Sequence, residues 1–223
     1  MRYWCIGPWR WAAGALIVGT MLYIVPTAIH GNPPIESAQE TLEYVHARPF
    51  WRVLHLVNIA AVIVWACGFT ALAKAASANA LTRQLFGIVC TTAAATFAVY
   101  FSLHAFGLPT AATQYFDAGA DRTAVLERTE TTLIALGSIA FTAQALLGAA
   151  VAFAGYLFAR SPMLPTWLGG VGIIAGLGWL TGALLVDFAV IVAFTILTWL
   201  WTLVVAGVAL RGSFAVRPPH PTS

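Results

Sequence analysis

Apolar residues along this chain gather into six long runs, at about 11–29, 51–73, 84–106, 131–158, 166–186 and 188–210, with almost all of the charge between them. Each run is long enough to cross a hydrocarbon core of about 30 Å as a helix rising about 1.5 Å per residue. Arg52, Glu130 and Asp187 lie at or just inside the run ends. The pattern predicts an all-α fold, a polytopic transmembrane helix bundle of six spans that forms one integral membrane domain over residues 1–223. Pro26, near the end of the first run, removes a backbone donor and is expected to bend that helix or end it.

The connecting segments carry their own signals. Asn32-Pro33-Pro34 offers an N-cap followed by proline in a first turn, and Ile35, Ala38, Leu42 and Val45 then recur at helical spacing. This predicts a short amphipathic helix on the outer surface after the first span, ending before Pro49, with Glu36, Glu40, Glu43 and His46 on its solvated side. The segment 107–130 opens with Leu108-Pro109, turns at 118–121, and uses Asp121 to cap the helix that becomes the fourth span. The stretch 166–211 is far too long for one span, and no glycine or proline stands beside Asp187 to mark a turn. The chain must nevertheless reverse there, and aspartate is a favoured cap for the helix that follows.

Composition narrows the class further. Hydrophobic residues make up 60% and charged residues 9% of the chain, and a mean hydropathy of +0.83 leaves no stretch for a separate soluble domain. Seven of the 11 lysines and arginines (Arg2, Arg10, Lys74, Arg83, Arg160, Arg211, Arg217) fall on one side of the predicted spans. Arg48, Arg52, Arg122 and Arg128 fall on the other, together with all 8 acidic residues. The positive-inside rule then predicts both termini in the cytoplasm, in a plasma (inner) membrane, with the first run retained as a span because Thr27-Ala28-Ile29 is a poor cleavage site. The net charge of +3 is read as electrostatics beside an anionic leaflet and not as a nucleic-acid signal. Cys5, Cys67 and Cys90 have no CxxC spacing and are expected to be buried, reduced thiols.

Small residues predict where helices touch. Gly172 with Gly176 and Gly178 with Gly182 form small-xxx-small pairs on the fifth span, and Gly148, Ala152 and Gly155 give the fourth a matching flat face. A tight contact between those two helices is expected, with a seam between two copies as the alternative. Phe50, Trp51, Phe106 and Tyr115 suit the outer interface, and Trp179, Trp199 and Trp201 suit packing at greater depth. Thr195, Thr198 and Thr202 on the last span are expected to bond their own backbone carbonyls.

Polar groups inside spans are costly, so each one calls for a reason. Arg52, His55 and Asn58 recur every three residues on the second span, and Thr92, Thr96, Tyr100 and His104 every four on the third. Antiparallel neighbours of this kind bring His55 and His104 to similar depth near the outer side. The best reading is a binding or accessory protein whose outer-facing polar cavity, lined by His55, His104, Tyr100 and Asp187, accepts a lipid-like ligand or a partner subunit. A second reading makes His55 and His104 the axial ligands of a b-type haem that moves electrons. A third makes Asp187, Glu130 and a histidine the acid–base groups of a proton-coupled transporter or membrane enzyme. No Walker-type loop, HExxH or GxSxG motif specifies a reaction, and the cofactor is left open.

The segment Leu164-Pro165-Thr166-Trp167-Leu168-Gly169, followed by Gly172 and Gly176, opens the fifth span after a short basic loop. In this motif, in size and in six-span layout, the chain resembles small bacterial membrane proteins grouped as families of unknown function. That resemblance implies the fold and transfers no activity. The chain departs from membrane cytochrome b bundles in lacking their paired haem histidines, and from retinal proteins in lacking a mid-span lysine.

Overall fold

The computed structural model describes residues 7–76 and 79–212. Among them are eight α-helices: α1 (Pro8–His30), α2 (Ala38–His46), α3 (Trp51–Ala76), α4 (Ala80–Ser102), α5 (Leu108–Phe116), α6 (Arg122–Ala159), α7 (Thr166–Leu184) and α8 (Phe188–Gly212). A π-helical segment, Leu103–Gly107, joins α4 to α5 without a break in the helix. Six stretches are long and apolar enough to cross a membrane, so this is a multi-pass, all-helical protein. Arg2, Cys5 and Arg217 lie outside the described residues.

Several element ends differ from those expected, each for a local reason. α1 runs through Pro26 and stops only at Gly31, whose φ of 64° is one that glycine adopts without steric cost. The second short helix begins at Ala38, capped by Ser37 Oγ, and not at Asn32. Residues followed by proline avoid the helical region, so Asn32-Pro33-Pro34 stays irregular and Pro34 instead accepts a hydrogen bond from Thr41 Oγ1 at 2.8 Å. Ala38, Leu42 and Val45 are buried, whereas Ile35, ahead of the helix, is exposed. The segment after Pro109 is helical to Phe116, and Asp121 then caps α6 by accepting from Ala124 N at 3.1 Å.

The bundle is assembled from close helix pairs. α6 and α7 meet backbone to backbone: a Cβ at Gly176 would run into Ala152, one at Gly155 into Ile173 and Gly172, and one at Gly148 into Leu180. This is the contact predicted from the small residues. α1 and α3 pair in the same way, with Gly19 against Trp65 and Gly68 against Leu16. Trp201 of α8 fills the centre, donating from Nε1 to Leu168 O at 2.7 Å and stacking on Phe69 at 5.6 Å. Gly178 and Gly182 turn to α8, facing Phe194 and Ile191, and Gly172 lies between Gly155 of α6 and Trp201 of α8.

Three finer expectations are corrected. Cys67 is exposed on the surface of α3, while Cys90 is buried as expected. Thr195, Thr198 and Thr202 are buried with hydroxyls that lack any hydrogen-bond partner, whereas Thr20, on α1, does bond back to Leu16 O at 2.7 Å. Trp51 is 1% exposed and belongs to the interior, not to an interfacial belt.

The reversal at Asp187 uses an unusual residue. Val186 occupies the left-handed region at φ 56°, and Asp187 N–H reaches back to Gly182 O while Val186 N–H bonds Ala183 O, a helix stop in which glycine normally holds the left-handed position. A β-branched residue there costs about 1–2 kcal/mol. Val186→Gly is therefore expected to raise the thermal unfolding temperature of the detergent-solubilised protein. Gly176→Leu is expected to lower it sharply or abolish folded yield, because overpacking typically costs about 1–3 kcal/mol and backbone cannot move aside as a side chain can. Gly207→Leu, where a Cβ meets nothing within 4 Å, serves as the neutral comparison.

Candidate functional site

The polar residues gather where α1 ends, α3 begins and α4 gives way to the π-helical segment. The cause lies in the backbone of that segment. Leu108 N–H reaches back five residues to Leu103 O instead of four to His104 O, and the next residue, Pro109, has no N–H. His104 O is left without a donor from its own helix, and the ordinary i+4 partner of Ala105 O would be Pro109 itself. Two side chains from the first turn of α3 take these places. Trp51 Nε1 donates to His104 O at 2.8 Å, and Arg52 Nε donates to Ala105 O at 3.3 Å.

Around this junction three imidazoles stack. The rings of His55 and His104 lie 5.0 Å apart and only 3° from parallel, and His30 also stacks on His55, at 4.4 Å. Trp51 leans on all three, and Tyr100 meets His104 edge-on at 4.7 Å. All three histidines are buried. His55 Nδ1–H donates to Trp51 O at 2.8 Å, which leaves Nε2 as the basic nitrogen of that ring. His30 Nδ1–H donates to Gly31 O, and its Nε2 then accepts from Asn58 Nδ2 at 3.4 Å. Two buried polar atoms in this cluster have no partner, His104 Nδ1 and Asn58 Oδ1. Among the described residues, no group of three or more histidine, cysteine or acidic side chains is arranged to hold a metal ion.

The stack borders a cavity of about 540 Å³. Tyr100 and His104 form one wall, and α6 forms another through Glu130, Leu133, Ile134, Gly137, Ala140, Phe141 and Gln144. Phe188 and Ile191 of α8 and the linker ahead of α2 complete it. The α6 positions recur at intervals of three and four, so they form a single helix face. Helix register explains why that face is open. Gly148 lies opposite Leu180 and Ala152 opposite Gly176, so one further turn brings the end of α7, Leu184, level with Gln144. Beyond that level α6 has lost its close partner. Gln144 Oε1 accepts from Trp179 Nε1 at 2.6 Å and so forms part of the floor.

The structure therefore brings His55, His104, Tyr100 and Asn58 into one cluster. Glu130 stands at the cavity, and Arg52 is an exposed clamp on the adjoining backbone. Asp187 is not brought to the histidines. It is exposed, and its Oδ1 accepts from Val190 N at 3.1 Å as the cap of α8. Of the four residues expected on the cavity wall, Tyr100 and His104 line the cavity, His55 stacks on His104, and Asp187 caps α8 at the turn. Thr92, which continues the polar row of α4, is exposed on the helix surface, and the row turns inward only at Tyr100 and His104. His30 went unread in the sequence, although it closes the first apolar run at the same depth as His55. An imidazole just before a helix-terminating glycine was the available signal.

These features define a multi-pass helical membrane protein with a buried histidine stack beside a partly apolar cavity. No protein-family model, no curated protein and no solved structure matches the chain.

The Trp51 bond gives the cluster a direct test. Trp51→Phe keeps the aromatic contact but leaves His104 O buried without a donor, at a cost of about 1–3 kcal/mol. The expected result is a lower unfolding temperature and a changed near-ultraviolet circular dichroism signal. An unchanged melting curve would show that the bond carries none of the stability of this junction.

Proposed function

We propose that this chain is a binding protein of the plasma membrane that holds a lipid-like molecule in the cavity between α4, α6 and α8. In this reading both termini are cytoplasmic and the histidine end faces outward, with α2 as an amphipathic helix lying on the outer surface. The support for orientation is the charge distribution, seven of 11 basic residues on the opposite side and all 8 acids on the histidine side.

The single observation that carries the function is the cavity itself. Its volume of about 540 Å³ falls within the range of small-molecule sites, roughly 300–1,000 Å³, and such sites are mostly apolar with a few placed polar groups. The α6 wall from Glu130 to Gln144 spans about 21 Å at the rise of an α-helix, about two-thirds of a 30 Å hydrocarbon core. Length, apolar lining and polar groups at its ends suit an amphiphile whose chain lies along α6.

A haem held by His55 and His104 is less well supported. Two axial ligands must point their nitrogens at one iron from opposite faces of a porphyrin, whereas these rings lie face to face at 5.0 Å. A proton-coupled role for Asp187 draws no support from its exposed capping position.

Gly137 offers a test that spares the fold, because a Cβ built there meets nothing within 4 Å. Gly137→Trp should fill the cavity, leave the unfolding temperature within a few degrees of wild type, and remove any lipid-like adduct seen by native mass spectrometry of the purified protein. An adduct retained at wild-type level in this variant would place binding elsewhere and defeat the reading.

A further inference from the structure

The cavity has one sign of charge. Its lining includes two carboxylates, Glu36 and Glu130, and no lysine or arginine. Neither carboxylate has a hydrogen-bond or ion-pair partner among the described residues. The remaining polar lining is uncharged or imidazole: Asn32, Tyr100, His104 and Gln144. His104 adds an independent sign of incomplete satisfaction, since it is 7% exposed and its Nδ1 has no partner. A cavity that joins an apolar wall to unpaired carboxylates repels anions and favours a positively charged head.

Resting on the amphiphile-binding reading above, we propose that the ligand is a single-chain amphiphile with an ammonium head, held by Glu36 and Glu130 while its chain lies along α6 toward Gln144. The volume of about 540 Å³ suits one chain and a compact head. Tyr100 belongs to the same lining, and aromatic rings attract ammonium groups. The carboxylates come from different segments, Glu36 from the linker ahead of α2 and Glu130 from α6, so a bound cation would also tie that linker to the bundle.

The test uses full-length protein in phosphatidylcholine liposomes and three spin-labelled probes of equal chain length, bearing a trimethylammonium, an alcohol or a sulfonate head. The motionally restricted fraction that Gly137→Trp removes is the cavity-bound fraction. The ammonium probe is expected to bind about tenfold more tightly than the alcohol, and the sulfonate more weakly than either. In Glu36→Gln with Glu130→Gln the ammonium preference should collapse to the level of the alcohol, while alcohol binding stays unchanged. Both carboxylates are exposed and unbonded, so this variant is not expected to disturb folding. Equal binding of all three probes, still blocked by Gly137→Trp, would overturn the head-group assignment and leave the cavity reading intact. No Gly137→Trp-sensitive binding of any probe would overturn both.

Discussion

A buried main-chain carbonyl without its helical donor finds no water to replace it, so it must be paired by another part of the protein. Pro109 creates that situation at the end of α4, and the π-helical segment before it shifts the hydrogen-bond pattern so that His104 O is the group left over. Trp51 and Arg52 supply the missing donors from α3. Two helices are thereby locked in one register at their polar end, and the rings that flank the junction have little choice of position. Trp51 O accepts from His55, and Trp51 itself packs on His30 and His104, so the stack follows from the repair of one backbone defect.

The cavity has a different origin, the unequal length of paired helices. α6 has 38 residues and α7 has 19, and glycine-lined contact holds them together only over the stretch they share. Where α7 stops, near Gln144, the α6 face continues without a close neighbour. α2 and α5 close part of the space above through a small cluster that includes Leu42, Leu108 and Tyr115. What remains open is lined by the polar end of α4 on one side and the bare face of α6 on the other. A rigid histidine cluster and an adjacent opening thus arise from separate causes and meet at His104, which belongs to both.

The parts of this arrangement that were legible in the chain were those governed by local pattern. Runs of apolar residues identify the spans, because length and hydropathy alone decide whether a helix can cross a bilayer. The glycines of α7 announced a close partner, because nothing larger fits where backbones touch. His55 and His104 were legible as a pair because adjacent antiparallel helices bring equal depths together. His30 was not, since it stands outside the first run by one residue and gains its meaning only from the ring above which it stacks. Asp187 was legible as the cap of the following helix, and its carboxylate accepts from Val190 N–H at the start of α8.

By itself the sequence determined the class of the protein, the number and approximate limits of its apolar spans and the small-residue faces on which α6 and α7 pack. Those properties depend on interactions within one helix or between one helix and its solvent. The tertiary structure alone decided that Leu103–Gly107 widens into a π-helical segment, that three histidines stack around Trp51, and that α7 ends early enough to leave the α6 face open. Each of these rests on groups far apart in the chain that satisfy one another, or fail to, and a pairing of that kind has no period for a sequence to display.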